Sequence, residues 1–241
     1  MNAPLLVIPL ALEWIILVTT LAPMVLPKRF DSRPQLGIAI WFSTFLSAGV
    51  ATVLAIASAI WAYSDTLIAL NSNEFGNEKW YLALIVSFGP WLALAVGGIT
   101  LALINIKLEP MFESAREIVP LLDLGKKPLM NFMGTPVAVV QLPFVYALAT
   151  NREILISQFA LDHLSKNELD AVLWHELGHV KYKHFALKRL ARLIAALSSR
   201  LAASRALVSE VERLCELAAD KYALKKVTAP TLRLARKLFT D

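Results

Sequence analysis

The sequence predicts a mainly α-helical membrane protein: three N-terminal transmembrane helices, then a small α+β cytoplasmic domain. The chain has 241 residues, 57% of them hydrophobic, and a mean hydropathy of +0.57, too apolar for an ordinary soluble domain of this length. The apolar residues gather in the first hundred positions as three long runs. Beyond them the pattern changes to charged, amphipathic helices and a few β-branched stretches. The expected domains are 1–104, in the membrane, and 105–241, outside it.

Residues 4–27, 36–63 and 80–104 are each long enough to cross a hydrocarbon core at about 20 residues per crossing. A cleaved signal peptide is the rival reading for the first run, but that run lacks a basic leading region, is too long, and is followed by Lys28-Arg29. The loop after it carries Lys28, Arg29 and Arg33 against Asp31, whereas the loop from Ser64 to Lys79 carries Asp65, Glu74 and Glu78 against one lysine. The positive-inside rule therefore puts the first loop and everything after Asn105 in the cytoplasm, with the amino terminus outside. Ser43, Ser47, Ala51, Ala55 and Ala59 on the second run, and Gly89, Ala93 and Gly97 on the third, recur at a spacing that permits close helix packing. Glu13, an ionisable residue within the first run, is a candidate contact for a membrane-protein partner.

The cytoplasmic part opens with a juxtamembrane helix at 109–122 and a turn-rich linker at 123–128. Residues 136–148 and 152–157 read as strands, on the runs Val137-Ala138-Val139-Val140 and Ile154-Leu155-Ile156. Ser165 with Glu168, and Ser209 with Glu212, each fit a capping box and should open two helices. Between them Leu190, Ile194, Leu197 and Leu201 form an apolar stripe amid five cations, which argues against a fourth span. From Lys181 to Lys237 there are 14 Lys or Arg against 4 Asp or Glu, a balance suited to the anionic leaflet of a lipid bilayer. No nucleic-acid module accompanies these cations, so nucleic acid is not an expected partner. The single cysteine, Cys215, excludes an intramolecular disulfide and reads as a small packing residue.

The chemistry centres on His175-Glu176-Leu177-Gly178-His179. On a helix, positions i and i+4 share a face, so His175 and His179 can present two imidazole nitrogens to one metal ion. Glu176, one residue round, can reach a water on that metal without being a ligand. A hydrolytic zinc site needs a third ligand and an open position, and Glu216 is the candidate, with Asp220 one turn on to receive the far N–H of a ligating histidine. A solvated helix face beside Lys221 and Lys225 is the other reading of that pair.

The stretch from Ser165 to Val180, with its leading Ser, Glu168-Leu169, Ala171-Val172-Leu173 and HELGHV, followed by Glu216, Ala219-Asp220 and Ala223, resembles the HtpX/CAAX-protease and BlaR-type membrane metallopeptidases. The likeness covers residues 152–184 and 216–224. It implies a zincin-like domain and a gluzincin-type zinc endopeptidase: one Zn2+ on His175, His179 and Glu216, Asp220 supporting a ligand histidine, and Glu176 as general base. It also implies a substrate-binding strand edge, assigned to Ile154, Leu155 and Ile156, and a donor for the oxyanion, for which Tyr182, His184, Tyr222 and Arg213 are candidates. His184, five residues past His179, is expected to point off the ligand face, and His163 to be structural. Unlike HtpX-like proteins, this chain has no convincing span after the metal helix; unlike BlaR, it lacks an external sensor domain.

The leading expectation is thus a membrane-anchored zinc endopeptidase of the bacterial inner membrane, acting on peptide bonds of cytoplasmic or membrane proteins. A catalytically silent subunit of a larger membrane complex and a self-cleaving sensor are the alternatives. Intact Glu176 favours catalysis, since a structural zinc site has no use for that carboxylate.

Overall fold

The computed structural model describes residues 3–71, 125–198 and 202–237. In chain order these form α1 (Ala3–Val25), α2 (Pro34–Asn71), β1 (Lys127–Phe132), β2 (Thr135–Val140), β3 (Ala147–Ala149), β4 (Ile154–Ser157), α3 (Gln158–His163), α4 (Lys166–Lys181), α5 (His184–Leu197), α6 (Ala202–Ala223) and α7 (Ala229–Lys237). The chain divides into two units, Met1–Val25 with Phe42–Glu109, and Leu26–Trp41 with Pro110–Asp241.

The first unit contains α1 and most of α2. Val7–Val25 and Pro34–Trp61 are long and apolar enough to cross a membrane. Leu10, Ile16, Val53, Ile56 and Trp61 are among the large apolar side chains left exposed on them. A predominantly apolar surface of this kind is suited to hydrocarbon rather than water. Trp14 Nε1 donates to Ser47 Oγ at 3.2 Å, so one residue of the small-residue face serves as an acceptor, while Glu13 lies exposed. α2 continues to Asn71, past the expected loop start at Ser64. The expected third span at 80–104, with Gly89, Ala93 and Gly97, and the juxtamembrane helix at 109–122 lie outside the described residues.

In the second unit a four-stranded sheet of order β1-β2-β4-β3 backs the helices. β1 and β2 form a hairpin closed by Met133 and Gly134, both at positive φ (49° and 84°), as a two-residue turn matched to strand twist requires. β2 and β4 run parallel and β3 returns antiparallel to β4. Val137, Val139, Ile154 and Ile156 alternate onto one face and pack with Ala171, Val172, Leu173 and Leu177 of α4, while Ala138, Val140 and Leu155 form a smaller cluster with Leu142 and Tyr146.

Three expectations are corrected. The strand expected at 136–148 is two strands, β2 and β3, separated by a segment containing Pro143. The edge-strand role expected for 152–157 fails because β4 is paired on both sides, leaving Ile154, Leu155 and Ile156 buried without a free edge. Ser209 opens no helix: α6 begins at Ala202, and the Ser209 hydroxyl donates to the Ala206 carbonyl within it.

The candidate metal centre

α4 begins where local chemistry directs it. Ser165 Oγ accepts from the Glu168 amide and Glu168 Oε2 accepts from the Ser165 amide at 2.9 Å, a complete capping box. The Ser165 hydroxyl, which donates to Glu168 Oε2 at 2.6 Å, and then the Ser165 amide hold the Glu168 carboxyl below its ordinary range. One turn from its end α4 passes close to α6: a Cβ on Gly178 would stand 3.0 Å from Ala219 Cα and 3.3 Å from Tyr222 Cβ. Glycine thus permits the approach that brings Glu216 to the two histidines.

His175 Nε2 and His179 Nε2 lie 3.1 Å apart, and Glu216 oxygens lie 3.4 Å from the first and 3.6 Å from the second. Tetrahedral zinc with bonds of about 2.0–2.2 Å separates its ligands by about 3.3 Å, so this triangle fits that ion. Behind His175, Nδ1 is 2.9 Å from Asp220 Oδ1; both atoms are buried and have no other polar partner. Burial alone would lower the His175 pKa, but Asp220, then Glu216, raise it to about 9. Burial would raise the pKa of Glu216, yet His175, His179 and Lys188 hold its carboxylate far below the usual range. Lys188 Nζ reaches Glu216 Oε1 at 2.9 Å, and Arg236 on α7 bridges Glu216, at 3.5 Å, and Asp220.

The residues that define the triangle open on a hollow of about 410 Å³. Glu176 and Tyr146 line it together with β3. Burial, then the charge of Glu176, pushes the Tyr146 phenol above its ordinary pKa.

His184 departs from expectation. It is fully buried, with Nδ1 2.8 Å from His179 Nδ1. The reason is a break in helical periodicity: α4 ends at Lys181, Lys183 adopts a left-handed conformation (φ 53°), and α5 starts at His184, so counting five residues along one helix misplaces the ring. Burial, then His179 and Lys188, push its pKa down to about 3, so it is a neutral acceptor for a proton on His179 Nδ1, the tautomer being assigned from the contacts.

Of the four candidate oxyanion donors only His184 lines this hollow, where it backs His179; the other three stand elsewhere. Arg213 is bound to Glu210 and Asp31 at 2.8 Å each, and Tyr182 and Tyr222 line a different hollow. His163 stacks on Phe159, with Nδ1 2.9 Å from that residue's carbonyl oxygen. Sequence reasoning missed Tyr146, Lys188 and Arg236 altogether; no motif marks them, since strand register and helix packing alone bring them here.

A helix carrying HExxH, crossed by a second helix that offers a carboxylate and walled by a sheet edge, is an arrangement suited to a metallopeptidase. Comparison with known proteins agrees: residues 129–199 match the model of Peptidase family M48. The chain is also 26% identical over 141 residues to a Protease HtpX homolog of Gemmatimonas aurantiaca, covering 56% of this chain and 50% of that protein. It therefore spans about half the length of the curated relative it matches. No solved structure matches. The two matches relate the chain to the HtpX-like membrane metallopeptidases, the family its motifs resemble.

Proposed function

We propose that this protein is a membrane-anchored zinc endopeptidase whose metal is held by His175, His179 and Glu216. The reading is carried by the donor triangle, in which a carboxylate from α6 meets two imidazoles of α4 at distances suited to one tetrahedral ion. Zinc in that position would supply a Lewis acid that activates water and polarises the scissile carbonyl. Asp220 and His184 engage the Nδ1 atoms of the two ligand histidines and so aim both Nε2 atoms inward. Glu176 takes the proton of the attacking water and returns it to the leaving amine. Tyr146, kept protonated, donates its hydroxyl to the oxyanion. The free edge of β3, rather than β4, receives the substrate backbone.

We place the site in the cytoplasm beneath a bacterial inner membrane, and contacts of the basic loop support the part of that reading which puts loop and site on one side. The basic loop 26–33 is tied to α6 through Asp31–Arg213, the Lys28 amide to Glu210, and Lys221 to the Ser32 carbonyl. The loop that the positive-inside rule assigns to the cytoplasm is therefore attached to the helix that carries Glu216.

The test is to purify the full chain in detergent, measure zinc stoichiometry, and compare proteolysis by the native protein and Glu176→Gln. One zinc per chain and cleavage that requires Glu176 are the expected results. Stoichiometric zinc with no Glu176-dependent cleavage would move the protein to the silent-subunit class.

A further inference from the structure

A second hollow, of about 360 Å³, lies where the start of α2 meets α4 and α6. Arg33, Lys221 and Lys225 line it with Tyr182 and Tyr222, and no acidic residue does. Asp31 is close in sequence, but its carboxylate is taken by Arg213. Lys181 adds a fourth cation, lying over the Tyr222 ring at 4.8 Å. Lys221 fixes the wall by donating to the Ser32 carbonyl, whereas Arg33 and Lys225 are exposed and have no ion-pair partner among the described residues. Cations gathered without counter-charge repel one another, and an anion relieves that repulsion.

The location identifies the anion. The first bond of α2 runs from the Gly37 amide to the Arg33 carbonyl, so the amides of Gln35 and Leu36 precede the intrahelical ladder and add positive potential. The candidate membrane span of α2 begins at Pro34, one residue after Arg33. A cationic hollow at the first turn of a helix entering hydrocarbon, flanked by tyrosines, lies at headgroup level.

We infer that this hollow binds the phosphodiester headgroup of an anionic phospholipid, in the leaflet where α2 enters the bilayer. The inference rests on the reading of α2 as a span, not on peptidase activity.

The experiment is native mass spectrometry of the full chain in detergent, titrated with phosphatidylglycerol, phosphatidylcholine or inorganic phosphate, beside the double variant Arg33→Gln/Lys225→Gln. Phosphatidylglycerol is expected to be retained in preference to phosphatidylcholine and to resist competition by inorganic phosphate. At about 1 kcal/mol per near-surface cation, the double variant should lose at least about tenfold in that affinity, with an unchanged circular dichroism spectrum. Equal retention of the two lipids, an unaffected double variant, or displacement by millimolar phosphate would each overturn the assignment, the last in favour of a soluble anion. Carbonate extraction of native membranes separates the two levels. A chain released by carbonate overturns the span and the lipid site together, whereas a resistant chain without lipid preference overturns the lipid site alone.

Discussion

The same two helices build two hollows of opposite character. Toward one, α4 turns His175, Glu176 and His179, and α6 turns Glu216; toward the other stand Tyr182, just past the end of α4, Ala218, Lys221 and Tyr222 of α6, and Lys225 just beyond it. In the first, opposite charges are paired around the proposed ligands: Asp220 with Arg236, and Glu216 with Lys188, while His184 backs His179. In the second, cations stand together with no acid among the lining residues. Mutual neutralisation suits a site that must hold its own geometry around a small ion, whereas uncompensated charge suits a surface that draws its partner in. Glu216 and Lys221, which face the two hollows, stand only five positions apart on one helix.

The contrast can be broken from the first side. Glu176→Gln, which removes a proton acceptor but no proposed ligand, should cut peptide hydrolysis on the order of 10²–10⁴-fold while zinc content stays at its native value, checked by kinetics and elemental analysis. Tyr146→Phe should lower kcat about 10²–10³-fold with KM little changed, if its hydroxyl meets the oxyanion. His184→Ala should weaken zinc binding about 10–100-fold in a chelator competition, because the outer support of His179 is gone. Gly178→Val should cost about 1–3 kcal/mol in unfolding experiments, since the added side chain must push α4 from Ala219. Ser165→Ala, at the far end of α4, should cost only about 1 kcal/mol and leave zinc affinity alone. A large loss of zinc from that last change would mean that the helix start, rather than the packing at Gly178, sets the triangle.

Much of this was legible where the rules are local. The capping box at Ser165, the i, i+4 histidines, and the pairing of Glu216 with Asp220 along α6 all depend on spacing within one helix. Legibility failed where the backbone changes direction. His184 escapes helical counting because Lys183 resets the helix, and Ser209 imitates a cap because a serine–glutamate spacing reads alike at a helix start and in mid-helix. β1 was hidden in a lysine- and proline-bearing segment that resembles a linker, since a largely exposed strand carries no alternating apolar signal. The short apolar run of β4 does not say how many neighbours it has; the register does. Tyr146 was silent for the same reason, its place in the wall depending on a β3–β4 pairing that composition does not reveal.

The one cysteine has a practical consequence. Cys215 is completely buried, and burial pushes its thiol up to about 12. Such a thiol stays unionised and walled off from alkylating reagents at neutral pH. The native sequence is thus a silent background for thiol labelling: a cysteine engineered into the loop at 26–33 or beside β3 would carry the accessible thiol. Impermeant maleimides applied to either face of sealed vesicles could then map the protein's sidedness without first stripping it of its own thiol.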